Sequence, residues 1–199
     1  MQPHKIAIIG GIGSGKSVVS KLFRLMNIPV YDCDSEAKRL MNTSATLRTE
    51  LTKAIDKRVY GADGHIDRAY LASYMFGNAE HVALVNSIVH PAVRAHFKQW
   101  AIDTHAPIVA VETAILFESK MDADVDSIVW VSAPIETRIA RAMQRDHSSE
   151  QAIRQRMKSQ MSDAELMKRA DHIIQNDDTT SLIAQVKQVV EKNNQNKLS

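Results

Sequence analysis

Residues 5–23 read KIAIIGGIGSGKSVVSKLF, and this stretch decides the fold. The apolar, β-branched run at its start is typical of a short strand that is buried on both faces of a parallel sheet. From Lys16 onward, apolar residues recur at helical spacing, at Val18, Val19, Leu22, Leu25 and Met26. The stretch therefore predicts a strand, a glycine-rich turn and an amphipathic helix.

The turn contains the pattern G-x-x-x-x-G-K-[ST], as GGIGSGKS at residues 10–17. Glycines let the backbone gather its N–H groups into an anion-binding nest, and the following helix adds its positive N-terminal end. Lys16 would neutralise the β- and γ-phosphates, and the Ser17 hydroxyl would bind Mg²⁺. A chance glycine turn is disfavoured by the flanking strand and helix, and a dinucleotide site is disfavoured because Lys16 breaks the G-x-G-x-x-G spacing. The turn predicts a nucleoside triphosphate site.

Further apolar runs predict strands at residues 28–32, 107–113, 127–133 and 170–176. The segments between them are helical, and within the helical run 81–100 we expect Pro91 to start a new helix or to kink the existing one. Strands that alternate with helices indicate an α/β fold with a mostly parallel sheet.

The segments divide the single domain 1–199 into a core and two additions. The core comprises about 1–34, 105–137 and 170–192. The mostly helical segment of about 35–104 is predicted to be an insertion that binds substrate. The segment of about 138–169 is helical, polar and rich in Arg, Lys, Gln and Met, which suits a mobile lid.

Composition and charge indicate a folded globular protein. Hydrophobic residues make up 44% of the 199 residues and charged residues 24%. The 25 Lys and Arg balance 23 Asp and Glu, a net charge of +2, so we expect neither nucleic acid nor a membrane as a partner. The single cysteine, Cys33, excludes an internal disulfide and a cysteine-based metal site. The sequence contains no run long enough for a signal peptide or membrane span, so we expect a cytoplasmic protein.

Two aspartates follow the second predicted strand, in VYDCDSEAKRL at residues 30–40. Asp32 and Asp34 would lie at the carboxyl edge of the sheet, where open parallel sheets bind ligands. A carboxylate there could take a proton from a substrate hydroxyl or help to hold Mg²⁺. Alternatively, one of the two caps the helix that starts near Ser35, and both roles can coexist.

Motifs in a characteristic order extend over nearly the whole chain. They are GGIGSGKS, VYDCD, DGHIDRAYLASYMF, IVHPAVR, ETAILFES, ARAMQRD and QMSDAELMKRADHIIQN. In this order the chain resembles the dephospho-CoA kinases. The resemblance implies ATP-dependent phosphorylation of the ribose 3′-hydroxyl of dephospho-CoA, with Mg²⁺. It also implies a three-layer P-loop kinase fold with a five-stranded parallel sheet, a helical substrate-binding subdomain and a helical lid. We expect a monomer or a weak homo-oligomer.

The resemblance implies roles for the residues that match the family's motifs. Catalysis would rest on Lys16, on Asp34 as the base, and on the lid arginines Arg141 and Arg145. Asn176 would lie in a loop that faces the adenine. The loop that binds the ATP phosphates would comprise Gly11, Gly13, Ser14, Gly15, Lys16, Ser17 and Val18, with Ser17 at the metal. The residues at the substrate would be Asp32, Asp34, Arg68, Leu71, His90, Leu116 and Glu118.

Ordinary structural roles are open for several of these residues. Arg141 and Arg145 are four apart, and each could lie on a solvated helix face, paired with Glu136 or Asp146. His90 could simply be packed or capping.

The chain departs from the family pattern at several positions. Ala114 stands where the family often has Pro, Ser149 where it often has Arg, and Asp178 where it often has Gly. Glu118 could be a charge at a helix N-terminus.

The rival functions are another small-molecule or nucleotide kinase and a GTPase-like switch. The switch is disfavoured because QNDD at 175–178 lacks the lysine of the guanine-reading N-K-x-D motif.

Overall fold

The structure, a computed structural model, describes residues 2–196 and forms an α/β fold. The strands are β1 (His4–Ile9), β2 (Val30–Asp32), β3 (Ile108–Glu112), β4 (Ser127–Ser132) and β5 (His172–Gln175). The helices are α1 (Lys16–Leu25), α2 (Cys33–Thr43), α3 (Ala45–Ala54), α4 (Arg68–Met75), α5 (Ala79–Asp103), α6 (Ile135–Asp146), α7 (Glu150–Lys158), α8 (Asp163–Arg169) and α9 (Leu182–Asn196). Short 3₁₀ turns occur at Lys57–Val59 and Asp122–Asp124.

The strands form one sheet in the order β2-β3-β1-β4-β5. Strand β1 pairs in parallel with β3 and β4, and β4 pairs in parallel with β5. The predicted five-stranded parallel sheet with flanking helices is confirmed. Strands β1 and β3 are neighbours, but β1 connects to β2 on one side of the sheet and β3 connects to β4 on the other side. In open α/β sheets, ligands bind in the crevice at the carboxyl ends of two such strands.

Strand β1 is buried on both faces, as its sequence predicts. Ile6, Ala7 and Ile8 each have 0% exposed surface, and successive side chains of a strand point to opposite faces of the sheet. Helices α1 and α9 pack into the same apolar cluster as β1. The cluster includes Ile6, Ile8, Val19, Phe23, Val186 and Val189. This packing fixes the place where β1 ends and the glycine-rich turn begins.

The chain separates into two compact units. One contains the sheet and is built from the chain up to Tyr31 and from Trp100 onward, and the other runs from Asp32 to Gln99. The second unit is mostly helical and has buried apolar residues of its own, among them Leu47, Leu51 and Val59.

Helix α5 runs through Pro91 without interruption, so the expectation that a new helix starts there is wrong. Proline removes one backbone hydrogen bond from a helix interior. The apolar residues on either side of it, Val89 and Val93, are both 6% exposed, and burial of this kind outweighs local helix preference. None of the helices within residues 2–196 combines the length and apolar character that crossing a bilayer requires.

Candidate active site

The glycine-rich turn connects β1 to α1 in an unusual backbone conformation. Gly15 caps α1 with φ 93°, and Gly13 has φ 75°, both in the left-handed region that side chains disfavour. At Gly15 a Cβ atom would also collide with the side-chain amide of Asn176. Only glycine allows the backbone to turn there and lets the neighbouring groups approach so closely.

The Lys16 ammonium lies against the backbone of this turn. Its Nζ donates to the carbonyl oxygens of Gly10 at 2.7 Å and Gly11 at 3.3 Å. Lys16 begins α1, so its positive charge adds to the positive N-terminal end of the helix. Together the cation and the helix end make this turn attractive to a polyanion.

The Ser17 hydroxyl donates to Glu112 Oε1 at 2.8 Å. Glu112 is the last residue of β3, beside β1 in the sheet, and the sequence analysis missed it. Its position at the end of the predicted strand 107–113 was the available signal. A hydroxyl and a carboxylate are oxygen ligands of the kind that Mg²⁺ takes. No group of three or more His, Cys, Asp or Glu suited to a metal occurs within residues 2–196.

The side chain of Asn176, which follows the edge strand β5, contacts the glycine-rich turn. It is 7% exposed and donates from Nδ2 to the Ser14 carbonyl at 2.8 Å. Its own N–H donates to Ser132 O at 2.7 Å. Next to it, N–H groups of Thr180 and Thr179 hold the pKa of the Asp177 carboxyl at about 2.

The two arginines that the sequence predicts to lie in a lid, Arg141 and Arg145, have different surroundings. Arg141 Nη2 donates to Asp178 Oδ1 at 2.6 Å, and its Nη1 donates to Asn176 O at 3.4 Å. Its guanidinium also lies 4.0 Å from where a Cβ of Gly15 would be, so Arg141 reaches the turn. It pairs with Asp178 and not with either carboxylate considered from the sequence.

Arg145 is paired on the surface of α6. Its side chain is 63% exposed and its Nε donates to Asp146 Oδ1 at 2.7 Å, which is one of the pairings considered from the sequence. Arg156 donates to the same carboxylate at 2.7 Å. Hydrogen bonds from Arg145 and then Arg156 hold the pKa of Asp146 well below its usual range.

Asp32, rather than Asp34, caps α2. Its carboxylate accepts from the backbone N–H of Asp34 at 3.0 Å and of Ser35 at 3.2 Å, and from the Ser35 hydroxyl at 2.8 Å. The Asp34 side chain lies in the first turn of α2 and is exposed. The capping alternative therefore applies to Asp32, and the Asp34 carboxylate takes no part in this cap.

The other predicted substrate residues differ in exposure. Within the unit from Asp32 to Gln99, Arg68 is exposed at the start of α4, Leu71 is 6% exposed, and His90 is half-buried in α5. In the unit that contains the sheet, Leu116 is 1% exposed while Glu118 is exposed. Turns span 116–120, so Glu118 is not at a helix N-terminus.

The remaining predicted loop residues lie in the turn itself. Ser14 is 1% exposed, and its Oγ is one of two buried side-chain polar atoms within residues 2–196 that have no hydrogen-bond partner. Val18 is 48% exposed, and its N–H donates to Gly15 O at 3.0 Å. Gly11 accepts at its carbonyl oxygen from the N–H of Ser14 at 3.2 Å, which closes the turn.

Comparison with solved structures supports the fold. A crystal structure titled TT1252 from Thermus thermophilus matches with a TM-score of 0.84 and 31% identity, over 96% of this chain and 98% of that one. A dephospho-CoA kinase from Campylobacter jejuni matches with a TM-score of 0.68 and 24% identity, over 94% of this chain and 96% of that one. A shikimate kinase from Acinetobacter baumannii shares the fold with a TM-score of 0.57 and 15% identity, over 99% of this chain and 96% of that one.

Comparison with known sequences identifies the family. A dephospho-CoA kinase from Bacteroides fragilis is 43% identical over 187 residues, 94% of this chain and 91% of that protein. A dephospho-CoA kinase from Porphyromonas gingivalis is 42% identical over 187 residues, which cover 94% of this chain and 92% of that protein. The family model described as dephospho-CoA kinase matches residues 4–181. The chain thus belongs to the dephospho-CoA kinase family.

Proposed function

We propose that this protein transfers the γ-phosphoryl group of ATP to the ribose 3′-hydroxyl of dephospho-CoA. The products are CoA and ADP, and the reaction is the final step of CoA biosynthesis. The proposal is carried by the glycine-rich turn with Lys16 and Ser17, built at the carboxyl end of β1 in a chain of this family. No helix among residues 2–196 could cross a bilayer, and a cytoplasmic monomer or weak homo-oligomer fits that role.

The turn residues bind the ATP phosphates. Gly11, Gly13, Ser14, Gly15 and Val18 supply backbone around the phosphates, and the buried Ser14 Oγ gains a partner. Lys16 moves from the backbone carbonyls of the turn toward the β- and γ-phosphates. Phosphoryl transfer spreads negative charge over the transferred oxygens, and this cation offsets it.

Ser17 and Glu112 are the protein ligands that we assign to Mg²⁺. Their oxygens already lie 2.8 Å apart, and Mg²⁺ usually takes one or two carboxylates, with water and substrate phosphates completing the octahedron. Held by these two residues, the ion would supply positive charge that offsets the negative charge developing on the phosphoryl group. The pair fits this ion because both are hard oxygen donors with no competing thiol or imidazole.

Asp34 is the general base that we assign to the 3′-hydroxyl. Its carboxylate is exposed and lies outside the capping interactions of Asp32, so it is accessible to a substrate hydroxyl. Asp32 supports it by fixing the start of α2. Of the other substrate residues, Arg68, His90 and Glu118 have side chains accessible to a ligand, whereas the buried Leu71 and Leu116 support them by packing.

Arg141 and Arg145 are the proposed lid cations, within a lid of about 138–169. Arg141 already reaches the turn, while Arg145 must leave Asp146 before it can meet a phosphate. Asn176 supports the turn and the adenine side of the site. We assign about 35–104 to substrate binding and the remaining segments to the core.

The direct test is ADP release by the purified protein with Mg·ATP, with and without dephospho-CoA. AMP, CMP and shikimate serve as rival acceptors, and shikimate is the sharpest control because shikimate kinases share the fold. We expect ADP only with dephospho-CoA, together with CoA as product. Turnover with a rival acceptor instead would show that the protein is another kinase of this fold.

A further inference from the structure

Ile12, in the middle of the phosphate-binding turn, is held by side chains from the segment that begins with α6. Its N–H donates to Gln160 Oε1 at 2.9 Å, and its carbonyl accepts from Arg138 Nε at 3.0 Å. The apolar side chain of Ile12 packs against a cluster that includes Ile139 and Ile153. Both polar backbone groups and the side chain of Ile12 are therefore fixed from outside the turn.

Arg138 is a buried charge with a defined partner. Its side chain is 6% exposed, and its Nη1 donates to both Asp163 carboxylate oxygens, at 3.0 and 2.9 Å. The Asp163 side chain is 47% exposed, so the ion pair is only partly buried, but without Asp163 the buried Arg138 charge would be left uncompensated. Asp163 begins α8, and Gln160 lies just before it, so the contacts to the turn come from α6 and from the α7–α8 connection.

The turn and Arg138 also leave no space between them. A Cβ atom at Gly11 would collide with the Arg138 guanidinium, and one at Gly13 would collide with the Arg138 backbone carbonyl. The glycines of the turn thus serve two purposes, because they permit the nest and also let Arg138 approach its backbone. Neither purpose requires Arg138 to touch the nucleotide.

We propose that Arg138, together with Asp163 and Gln160, is a positioning residue that orders the phosphate-binding turn before ATP arrives. A turn that is already ordered loses less conformational freedom on binding, and this raises affinity. The same contacts make the ATP affinity depend on the position of the α7–α8 connection. The inference rests on the proposed function, because it requires that the turn bind Mg·ATP.

The test compares variants that remove or keep the contacts to Ile12. Arg138→Met removes the donors, and we expect about tenfold weaker Mg·ATP binding by calorimetry, equivalent to about 1.4 kcal/mol. The KM for ATP should rise by about the same factor while kcat at saturating ATP changes by less than about threefold, as expected when binding is lost equally in ground and transition states. Gln160→Leu should weaken binding in the same direction, because it removes the acceptor of the Ile12 N–H without changing the charge.

An exposed arginine on α7 that pairs with acidic residues on α6 and α7 provides the matched control. Arg154 on α7 pairs with Glu136 and Glu150 at exposed positions, so Arg154→Gln should leave the Kd within about twofold of wild type. A purely structural role would lower the melting temperature of Arg138→Met without changing the Kd of the folded protein, and that result would overturn the inference. Should Arg138→Met not fold, a wild-type Kd for Gln160→Leu would overturn it as well. Absence of Mg·ATP binding by the wild type would instead refute the proposed function itself.

Discussion

The two ends of the central sheet are completed in different ways. At the amino ends of the strands, the Asn193 side chain of α9 is 0% exposed and its amide is fully bonded. Its Oδ1 accepts from Ser127 and His4, each at 2.7 Å. Its Nδ2 donates to Val189 O at 2.8 Å and to His172 Nε2 at 3.3 Å. This end of the sheet needs no further partner.

At the carboxyl ends, the polar groups are less fully hydrogen-bonded within the protein. Ser14 Oγ is buried without a partner among residues 2–196, and the Lys16 ammonium rests on backbone carbonyls. Buried polar groups are usually satisfied, so an exception beside a cation indicates a place for an anion. From this difference we predict that polar residues at the amino end contribute mainly to stability and those at the carboxyl end mainly to activity. Each prediction below tests that division.

The largest effect is expected for Lys16→Ala. Loss of the cation that we propose to offset transition-state charge should lower turnover by about 10³-fold, measured as ADP release with dephospho-CoA. The melting temperature should change little, because Lys16 is not part of the apolar core. Lys21→Ala, at an exposed position on α1, is the matched control. Turnover above a tenth of wild type would contradict the role of Lys16.

Asp34→Asn should lower kcat by about 10²-fold, because it removes the base that we propose while keeping the shape of the side chain. The Kd for Mg·ATP should stay near the wild-type value. Glu50→Gln is the matched control, since it makes the same carboxylate-to-amide change at an exposed position on α3 that has no assigned role. Wild-type kcat in Asp34→Asn would rule out this residue as the base.

Asn193→Leu tests the opposite end of the sheet. It leaves the hydroxyl of Ser127 and the ring of His4 without their partner, so the free energy of unfolding should fall by about 2 kcal/mol in urea titrations. The kcat and KM of the folded protein should not change. Gln188→Leu, at an exposed position on the same helix, should cost far less stability. A kinetic defect in Asn193→Leu would show that the two ends are not separate.

Arg141→Ala should lower kcat by about tenfold, and Arg145→Ala by less. The reason is position, because Arg141 reaches the turn at Gly15 while Arg145 is bound to Asp146 on an exposed helix face. Single-turnover kinetics with the two variants side by side provide the measurement. Equal losses would mean that the lid rearranges enough on binding to bring both guanidinium groups to the phosphates.

The strand, the turn and α1 could be predicted from sequence because every signal for them is local. The β-branched run, the glycines and the helical spacing all lie within residues 5–23. The partners of the site could not be predicted, since Glu112 meets Ser17 only through the strand order, which places β3 beside β1. Arg141 likewise pairs with Asp178, which lies 37 residues away in sequence, whereas Ser17 and Glu112 are 95 residues apart. Local patterns specify elements, whereas contacts between distant residues follow from how the elements pack.

The smallest effect is expected from the pH dependence of stability at His172. Burial, with Lys192 contributing, lowers the pKa of this histidine below its ordinary value, and Asp171 opposes the shift only in part. The unfolded chain therefore binds this proton more readily than the folded protein does. The stability that the neutral ring contributes is complete above the unfolded pKa of about 6.5 and is lost as the pH falls toward the folded pKa.

Melting temperatures measured between pH 8 and pH 5.5 for the wild type and His172→Gln would check this. The variant should lose less stability than the wild type over the acidic part of that range, because glutamine does not titrate. His4 also contacts Asn193, but it is present in both proteins, so the difference between the two curves isolates His172. Parallel curves would mean that protonation of His172 does not break the Asn193 contacts. The hydrogen bond between Asn193 and His172 would then contribute less to stability than its geometry indicates.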